Sequence, residues 1–156
     1  MGDTILIRKM DPPDLPAVLA IEEACFQSPW GRDGFLAALE RSDIAAYVYC
    51  PAGRVLAYFL VEFEGSEARL INLAVHRDQR RRGTATECLR HAERLARRRK
   101  AQRISLEVEE SNLPAQLLYR KAGYRATRIL RNFYPDTNED GYRMVRALSE
   151  PARAAP

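Results

Sequence analysis

The chain has 156 residues and a mass of 17.8 kDa, one domain's worth of sequence, which excludes most multidomain machines. Apolar residues make up 46% and charged residues 29%, and no uncharged apolar run approaches the roughly 20 residues that span a bilayer, so a membrane-spanning helix is excluded. The net charge of +4 hides an asymmetry: residues 76–103 balance at +8, residues 1–75 at −5 and residues 104–156 at +1.

The N-terminal stretch places Asp3 early and returns to charge at Arg8, so it lacks the apolar centre of a secretory signal and the chain is expected to be cytoplasmic. Cys25, Cys50 and Cys88 are odd in number and widely spaced, which argues against a disulfide framework. With only His76 and His91 beside them, no metal-ligand spacing exists and no metal is expected.

In chain order, Thr4 to Arg8 reads as a first strand, stopped by Asp11-Pro12-Pro13-Asp14. Asp14 is placed to cap a helix with Pro16 in its first turn, whose apolar stripe runs from Leu15 to Phe26. Ser28-Pro29-Trp30-Gly31 breaks it, and a second helix runs from Asp33 to about Glu40. Ala45 to Cys50 and Val55 to Phe63, joined by Pro51-Ala52-Gly53-Arg54, predict a hairpin, and Gly65-Ser66-Glu67 turns the chain into a third strand, Ala68 to Val75. Thr84 to Arg99 carries apolar residues at intervals of three and four, an amphipathic helix. Ile104 to Val108 alternates as a half-buried strand, Ser111-Asn112 opens a helix that Gly123 ends, and Tyr124 to Leu130 and Tyr142 to Leu148 read as two further strands. The expectation is a mixed α/β unit of about seven strands and four helices over residues 1–148, with 149–156 as a flexible Pro/Ala tail.

Between the strand ending at Val75 and the helix starting near Thr84 lies His76-Arg77-Asp78-Gln79-Arg80-Arg81-Arg82-Gly83-Thr84-Ala85. Gly83 lets the backbone approach a ligand, the free N–H groups of the helix start point outward, and Arg80, Arg81 and Arg82 add charge, a combination suited to pyrophosphate. The loop is neither Gly-x-Gly-x-x-Gly nor Gly-Lys-Ser/Thr, which disfavours dinucleotide and ordinary nucleoside-triphosphate sites. The run Arg97 to Lys100 stands at a helix C-terminus, where cations complement the dipole. A nucleic-acid role is not favoured, because residues 76–103 contain no aromatic residue to stack on bases.

Arg80-x-x-Gly83-x-Ala85 after Leu73-Ala74-Val75 resembles the acetyl-CoA signature of the GNAT acetyltransferase superfamily. Leu106-Glu107-Val108, Ser111-Asn112, Ala115, Leu118-Tyr119, Gly123-Tyr124 and Arg131-Asn132-Phe133-Tyr134-Pro135 narrow the likeness to the bacterial ribosomal-protein-alanine N-acetyltransferases and their archaeal N-terminal acetyltransferase relatives. The likeness runs from about Thr4 to Leu148. Ala85 stands where many relatives have a second glycine, and Phe133 where many have tyrosine. The resemblance implies a GNAT fold with a mostly antiparallel sheet whose central strands splay, and acetyl-CoA as cosubstrate. Main-chain groups of Leu73, Ala74 and Val75 would hold the pantetheine arm. Arg80 to Thr86, that is Arg80, Arg81, Arg82, Gly83, Thr84, Ala85 and Thr86, would take the pyrophosphate, and Asn112 would meet the cofactor from the next helix.

Acetyl transfer to an amine needs a base, an oxyanion donor and an acid for the thiolate. By resemblance Glu107 is the base and Tyr119 the acid, with the Val75 N–H as oxyanion donor. Taken alone, Glu107 is a polar residue on an alternating strand and Tyr119 a core residue with its hydroxyl at the rim. Trp30 and Tyr134 stand in two segments that resemble the family's acceptor loops, and both equally suit a packing role. The implied acceptor is a protein N-terminus, the N-terminal alanine of a small-subunit ribosomal protein, met by a monomer in a ternary complex. A same-fold enzyme for a small amine or a lysine side chain, and a non-catalytic acyl-CoA or ribosome-associated module, remain alternatives.

Overall fold

The computed structural model describes residues 6–148; the first strand's expected Thr4 and Ile5, and the tail 149–156, lie outside them. The described strands are β1 (Ile7–Lys9), β2 (Ile44–Tyr49), β3 (Ala57–Glu64), β4 (Glu67–Val75), β5 (Arg103–Glu109), β6 (Arg125–Tyr134) and β7 (Glu139–Ala147), and the α-helices are α1 (Leu15–Cys25), α2 (Arg32–Glu40), α3 (Thr84–Arg98) and α4 (Leu113–Lys121). The strand order is β1-β2-β3-β4-β5-β7-β6. This is the expected mixed α/β, mostly antiparallel architecture, and contacts divide the chain into two compact units.

The first unit comprises residues up to Glu62 together with Leu70–Ala92. The β1–β2 and β2–β3 pairs are antiparallel, with Tyr49 opposite Ile7 on one side and Ala57 on the other. The tight turn expected at Pro51–Arg54 is a short 3-10 turn in which Ala52 and Gly53 take positive φ, the conformation that reverses the chain. Leu15, Val18, Phe35, Val48, Tyr58 and Leu60 are fully buried and form the core of this unit. Asp14 departs from its expected capping role. Its carboxylate accepts from the Asp11 N–H at 2.8 Å and from two Arg8 nitrogens at 2.8 Å each, tying β1 to the turn before α1.

The second unit comprises Phe63–Arg69 and the chain from Glu93 onward. β5 and β6 both pair antiparallel with β7, which lies between them. Ile104, Leu106, Val108, Tyr124 and Met144 are buried here. The buried Glu93 accepts from the Tyr124 hydroxyl at 2.9 Å and from Arg146 at 2.6 Å, so this buried carboxylate has both a cation and a neutral donor.

β6 is longer than the expected Tyr124–Leu130, and β7 starts before the expected Tyr142. A register shift between Leu130 and Tyr134, with Asn132 at φ 50°, carries the strand past its irregularity. Asp140 replaces the lost ladder bonds, accepting from the Asn132 N–H at 2.8 Å and from Arg131 at 2.9 Å. Arg131 to Tyr134, expected as loop, are therefore strand, and the turn falls at 135–138. Hydrophobic spacing cannot anticipate a strand that continues through a side-chain bridge.

Candidate active site

In the first unit the candidate cosubstrate residues form the end of β4 and the run into α3. Ala74 is buried, and Leu73 and Val75 are half-buried. After Val75 the chain makes a 3-10 turn (Arg77–Gln79) and then takes positive φ at Arg81 (64°) and Gly83 (79°). A Cβ built on Gly83 would meet nothing within 4 Å, so the space in front of this backbone is open to a ligand. The first helical bond at this end of α3 is from the Glu87 N–H to the Gly83 carbonyl at 3.0 Å, which leaves the N–H groups of Thr84, Ala85 and Thr86 without helical acceptors. Arg80, Arg81 and Arg82 are exposed beside them, and the Thr84 side chain is buried against Gln79, its hydroxyl 3.2 Å from the amide oxygen. Outward N–H groups, open space and three guanidiniums fit the pyrophosphate of acetyl-CoA. Cys25 joins this region: its thiol donates to the Val75 carbonyl at 3.7 Å and accepts from Arg80 at 3.4 Å.

Trp30 is a packed ring, 5.3 Å from Phe35, which meets Tyr58 edge-on at 5.8 Å. Its backbone N–H donates to Glu22 at 2.9 Å. Glu22 is 1% exposed, and its other oxygen accepts from the Tyr58 hydroxyl and from Asn72 at 2.9 Å. Burial, followed by the hydrogen bond and the charge of Glu22, pushes the Tyr58 hydroxyl far above the ordinary phenol range. A glutamate inside an apolar helix stripe carries no sign of this in the sequence.

In the second unit Glu107 sits on β5 opposite Arg143 of β7. Its side chain is 8% exposed, with Arg69 Nε 3.1 Å from one oxygen and Arg143 Nε 3.3 Å from the other. A carboxylate has about four lone-pair sites, so each oxygen keeps one for a proton or a water. Sequence reasoning missed both arginines, which only the strand register brings to Glu107.

Tyr119, in the last turn of α4, meets Tyr124 edge-on at 5.9 Å, and burial of its hydroxyl raises its pKa to about 12. Tyr134 is raised as well, first by burial and then by the charges of Glu109, Glu107 and Tyr119, which places those four groups in one neighbourhood. Glu109 is raised by burial and then by Glu139, while hydrogen bonds from Ser111 hold Glu139 below the usual carboxylate range. A Cβ on Gly141 would lie 2.8 Å from the Tyr134 ring and 3.2 Å from the Val108 carbonyl, so the absence of a side chain there seats Tyr134. Asn112 caps α4, its Oδ1 accepting from the Ala115 N–H at 3.2 Å, which leaves its Nδ2 as the group able to meet a cofactor.

The Acetyltransferase (GNAT) family model matches residues 15–124. The [ribosomal protein bS18]-alanine N-acetyltransferase of Escherichia coli (strain K12) is 30% identical over 145 residues, covering 92% of this chain and 97% of that protein. A Bacillus subtilis (strain 168) protein assigned the same activity provisionally is 32% identical over 145 residues, covering 92% and 96%. The crystal structure of the ribosomal-protein-S18-alanine N-acetyltransferase from Escherichia coli superposes with a TM-score of 0.85 at 28% identity, over 96% of this chain and 97% of that one. Among the described residues no helix is long and apolar enough to cross a membrane. By its family match and these relatives, the chain belongs to the GNAT acetyltransferase family.

Proposed function

We propose that this chain transfers an acetyl group from acetyl-CoA to the α-amine of a protein N-terminus, the N-terminal alanine of a small-subunit ribosomal protein, in the cytoplasm and as a monomer. The observation that carries the proposal is the likeness to a ribosomal protein bS18-alanine N-acetyltransferase and to a second protein provisionally assigned that activity, over more than nine-tenths of each chain compared. The residues are consistent with it. Acetyl-CoA would supply the activated acetyl thioester, its pyrophosphate on the backbone N–H groups and arginines from Arg80 to Thr86 and its pantetheine arm along Leu73, Ala74 and Val75.

Glu107 takes the proton that the incoming α-ammonium must lose before its nitrogen can attack, with Arg69 and Arg143 fixing the carboxylate. The Val75 N–H donates to the oxygen that gains charge as the carbonyl becomes tetrahedral. Tyr119, protonated throughout the physiological range, gives its proton to the departing sulfur. The C–N bond forms and the C–S bond breaks; of the two protons the nitrogen loses, the first passes to Glu107 and the second, shed as the tetrahedral adduct collapses, replaces the one Tyr119 gives to the sulfur, so one proton is released overall. Tyr134, with Glu109 and Glu139 beside it, would contact the acceptor, as would Trp30, each within its own unit, and Asn112 would meet the cofactor. No cysteine is needed as a nucleophile, and Cys88 is held inert by burial, its thiol pushed up to about 12.

The test is a peptide bearing a free N-terminal alanine and one internal lysine, compared with the same peptide blocked at its N-terminus. Mass spectrometry should place a single acetyl group on the α-amine of the first and none on the second. Acetylation of the blocked peptide would move the assignment to a lysine acetyltransferase of the same fold.

A further inference from the structure

Glu22 is a glutamate inside α1 that no step of the proposed reaction uses, yet both of its oxygens are engaged in the core. One oxygen accepts from the Tyr58 hydroxyl and from Asn72 Nδ2 at 2.9 Å, and the other accepts from the Trp30 N–H at 2.9 Å. All three donors are neutral, in contrast to Glu93, which is paired with Arg146. A buried carboxylate held only by neutral dipoles is costly, and apolar packing would be the cheaper way to fill the site. What the carboxylate achieves is geometric. It joins three places that lie far apart in sequence: the segment after α1 that ends in Trp30, strand β3 through Tyr58, and strand β4 through Asn72, the residue next to Leu73. The aromatic chain from Trp30 through Phe35 to Tyr58 closes the same circuit from the other side.

We propose that Glu22 is a positioning residue for the acceptor, fixing the Phe26-to-Trp30 segment against β4 so that an incoming chain meets a preformed wall. The proposal rests on the acetyl-transfer reading for its substrate, but its structural half stands by itself. Within 26–30 the Trp30 N–H is tied to the buried carboxylate, while Gln27, Ser28 and Pro29 are exposed. A glutamine at position 22 keeps the shape but offers one acceptor oxygen in place of two. It therefore sets an N–H₂ either against the Trp30 N–H or against the Asn72 and Tyr58 donors. Pre-organisation of a binding segment lowers the cost of binding without touching the chemical step.

Trp30 is the single tryptophan of the chain, so its emission reports on this segment alone. The experiment compares wild type, Glu22→Gln and Tyr58→Phe in three readouts: acrylamide quenching of Trp30, acetyl-CoA affinity by calorimetry, and kcat and KM for an alanine-ended hexapeptide. Tyr58→Phe disturbs the same buried spot but leaves the Trp30 tie intact. In Glu22→Gln the quenching constant should rise about twofold and the peptide KM about tenfold, with kcat within about threefold and acetyl-CoA affinity unchanged. Tyr58→Phe should stay near wild type in all three. Equal quenching and KM in Glu22→Gln and wild type, or parallel losses of every readout in both variants, would overturn the positioning role.

A wild-type measurement covers the case in which Glu22→Gln does not fold. The Trp30 amide should exchange with solvent about a hundredfold more slowly than those of the exposed Gln27 and Gly31, and an equally fast Trp30 amide would overturn the proposal. If wild type acetylates no peptide, the acetyl-transfer reading fails, while quenching and amide exchange still decide whether Glu22 holds the segment.

Discussion

Each of the two units holds its own candidate functional residues by a different means. In the first, the proposed cosubstrate segment is main chain: the end of β4, positive φ at Arg81 and Gly83, and the N–H groups without helical acceptors that open α3. In the second, the proposed reacting and acceptor groups are side chains fixed by other side chains, with Glu107 between Arg69 and Arg143, and Tyr134 over Gly141 beside Glu109. A site made of backbone tolerates side-chain change where conformation survives, whereas a site made of side chains fails one atom at a time. Substitutions in the first unit should therefore act on cosubstrate binding, and those in the second on turnover or on the acceptor.

The largest effect should come from Gly83→Glu. At φ 79° any side chain is strained, and a carboxylate would face the pyrophosphate directly. Calorimetry should show acetyl-CoA affinity falling by about a hundredfold or more, since strain and charge repulsion each contribute a few kcal/mol. Next, Glu107→Gln should lower kcat by about 10²- to 10³-fold, the range of a lost general base, with acetyl-CoA affinity within about twofold of wild type. Equal turnover in that variant would remove Glu107 from the base role.

Tyr119→Phe should cost about 10- to 100-fold in kcat. Its pH behaviour gives a sharper reading: the acid must be protonated to act, and with a pKa of about 12 it remains so. A pH–rate profile of the wild type should show no descending limb from Tyr119 up to pH 10. Gly141→Ala sets a methyl 2.8 Å from the Tyr134 ring and 3.2 Å from the Val108 carbonyl. It should destabilise the fold by about 1–3 kcal/mol and raise the peptide KM more than it lowers kcat, readable from thermal melts and steady-state kinetics.

The smallest effect belongs to Asp14→Asn. Arg8 holds the Asp14 carboxyl below its ordinary range, so the ion pair contributes stability above pH 4 that disappears as pH falls through the folded pKa. Arg8 is half-exposed, which limits the difference at pH 7 to about 1 kcal/mol. Denaturant melts should show the gap between variant and wild type closing below about pH 4.

The same contrast explains what the sequence made legible. Helix starts, turns and the α3 loop depend on residues next to one another, so Gly83, Pro16, Asn112 and Gly123 announced them. The two extra strand segments at Arg131–Tyr134 and Glu139–Gly141 did not show, because Asp140 bridges them through its side chain. The Arg143 partner of Glu107 depends on which residue of β7 faces which residue of β5, and its Arg69 partner comes from β4, relations that no local pattern carries. Glu22 was hidden by its setting in an apolar stripe, and Gly141 by a role that exists only once Tyr134 folds over it.

The most direct test of acetyl transfer to a protein α-amine is release of free CoA from acetyl-CoA across hexapeptides that differ only at residue one, with N-terminally blocked controls. Turnover should be confined to free alanine and similarly small N-termini, and silent with every blocked peptide. Turnover with blocked peptides or free small amines alone, or acetyl-CoA binding with silence across the whole panel, would contradict it.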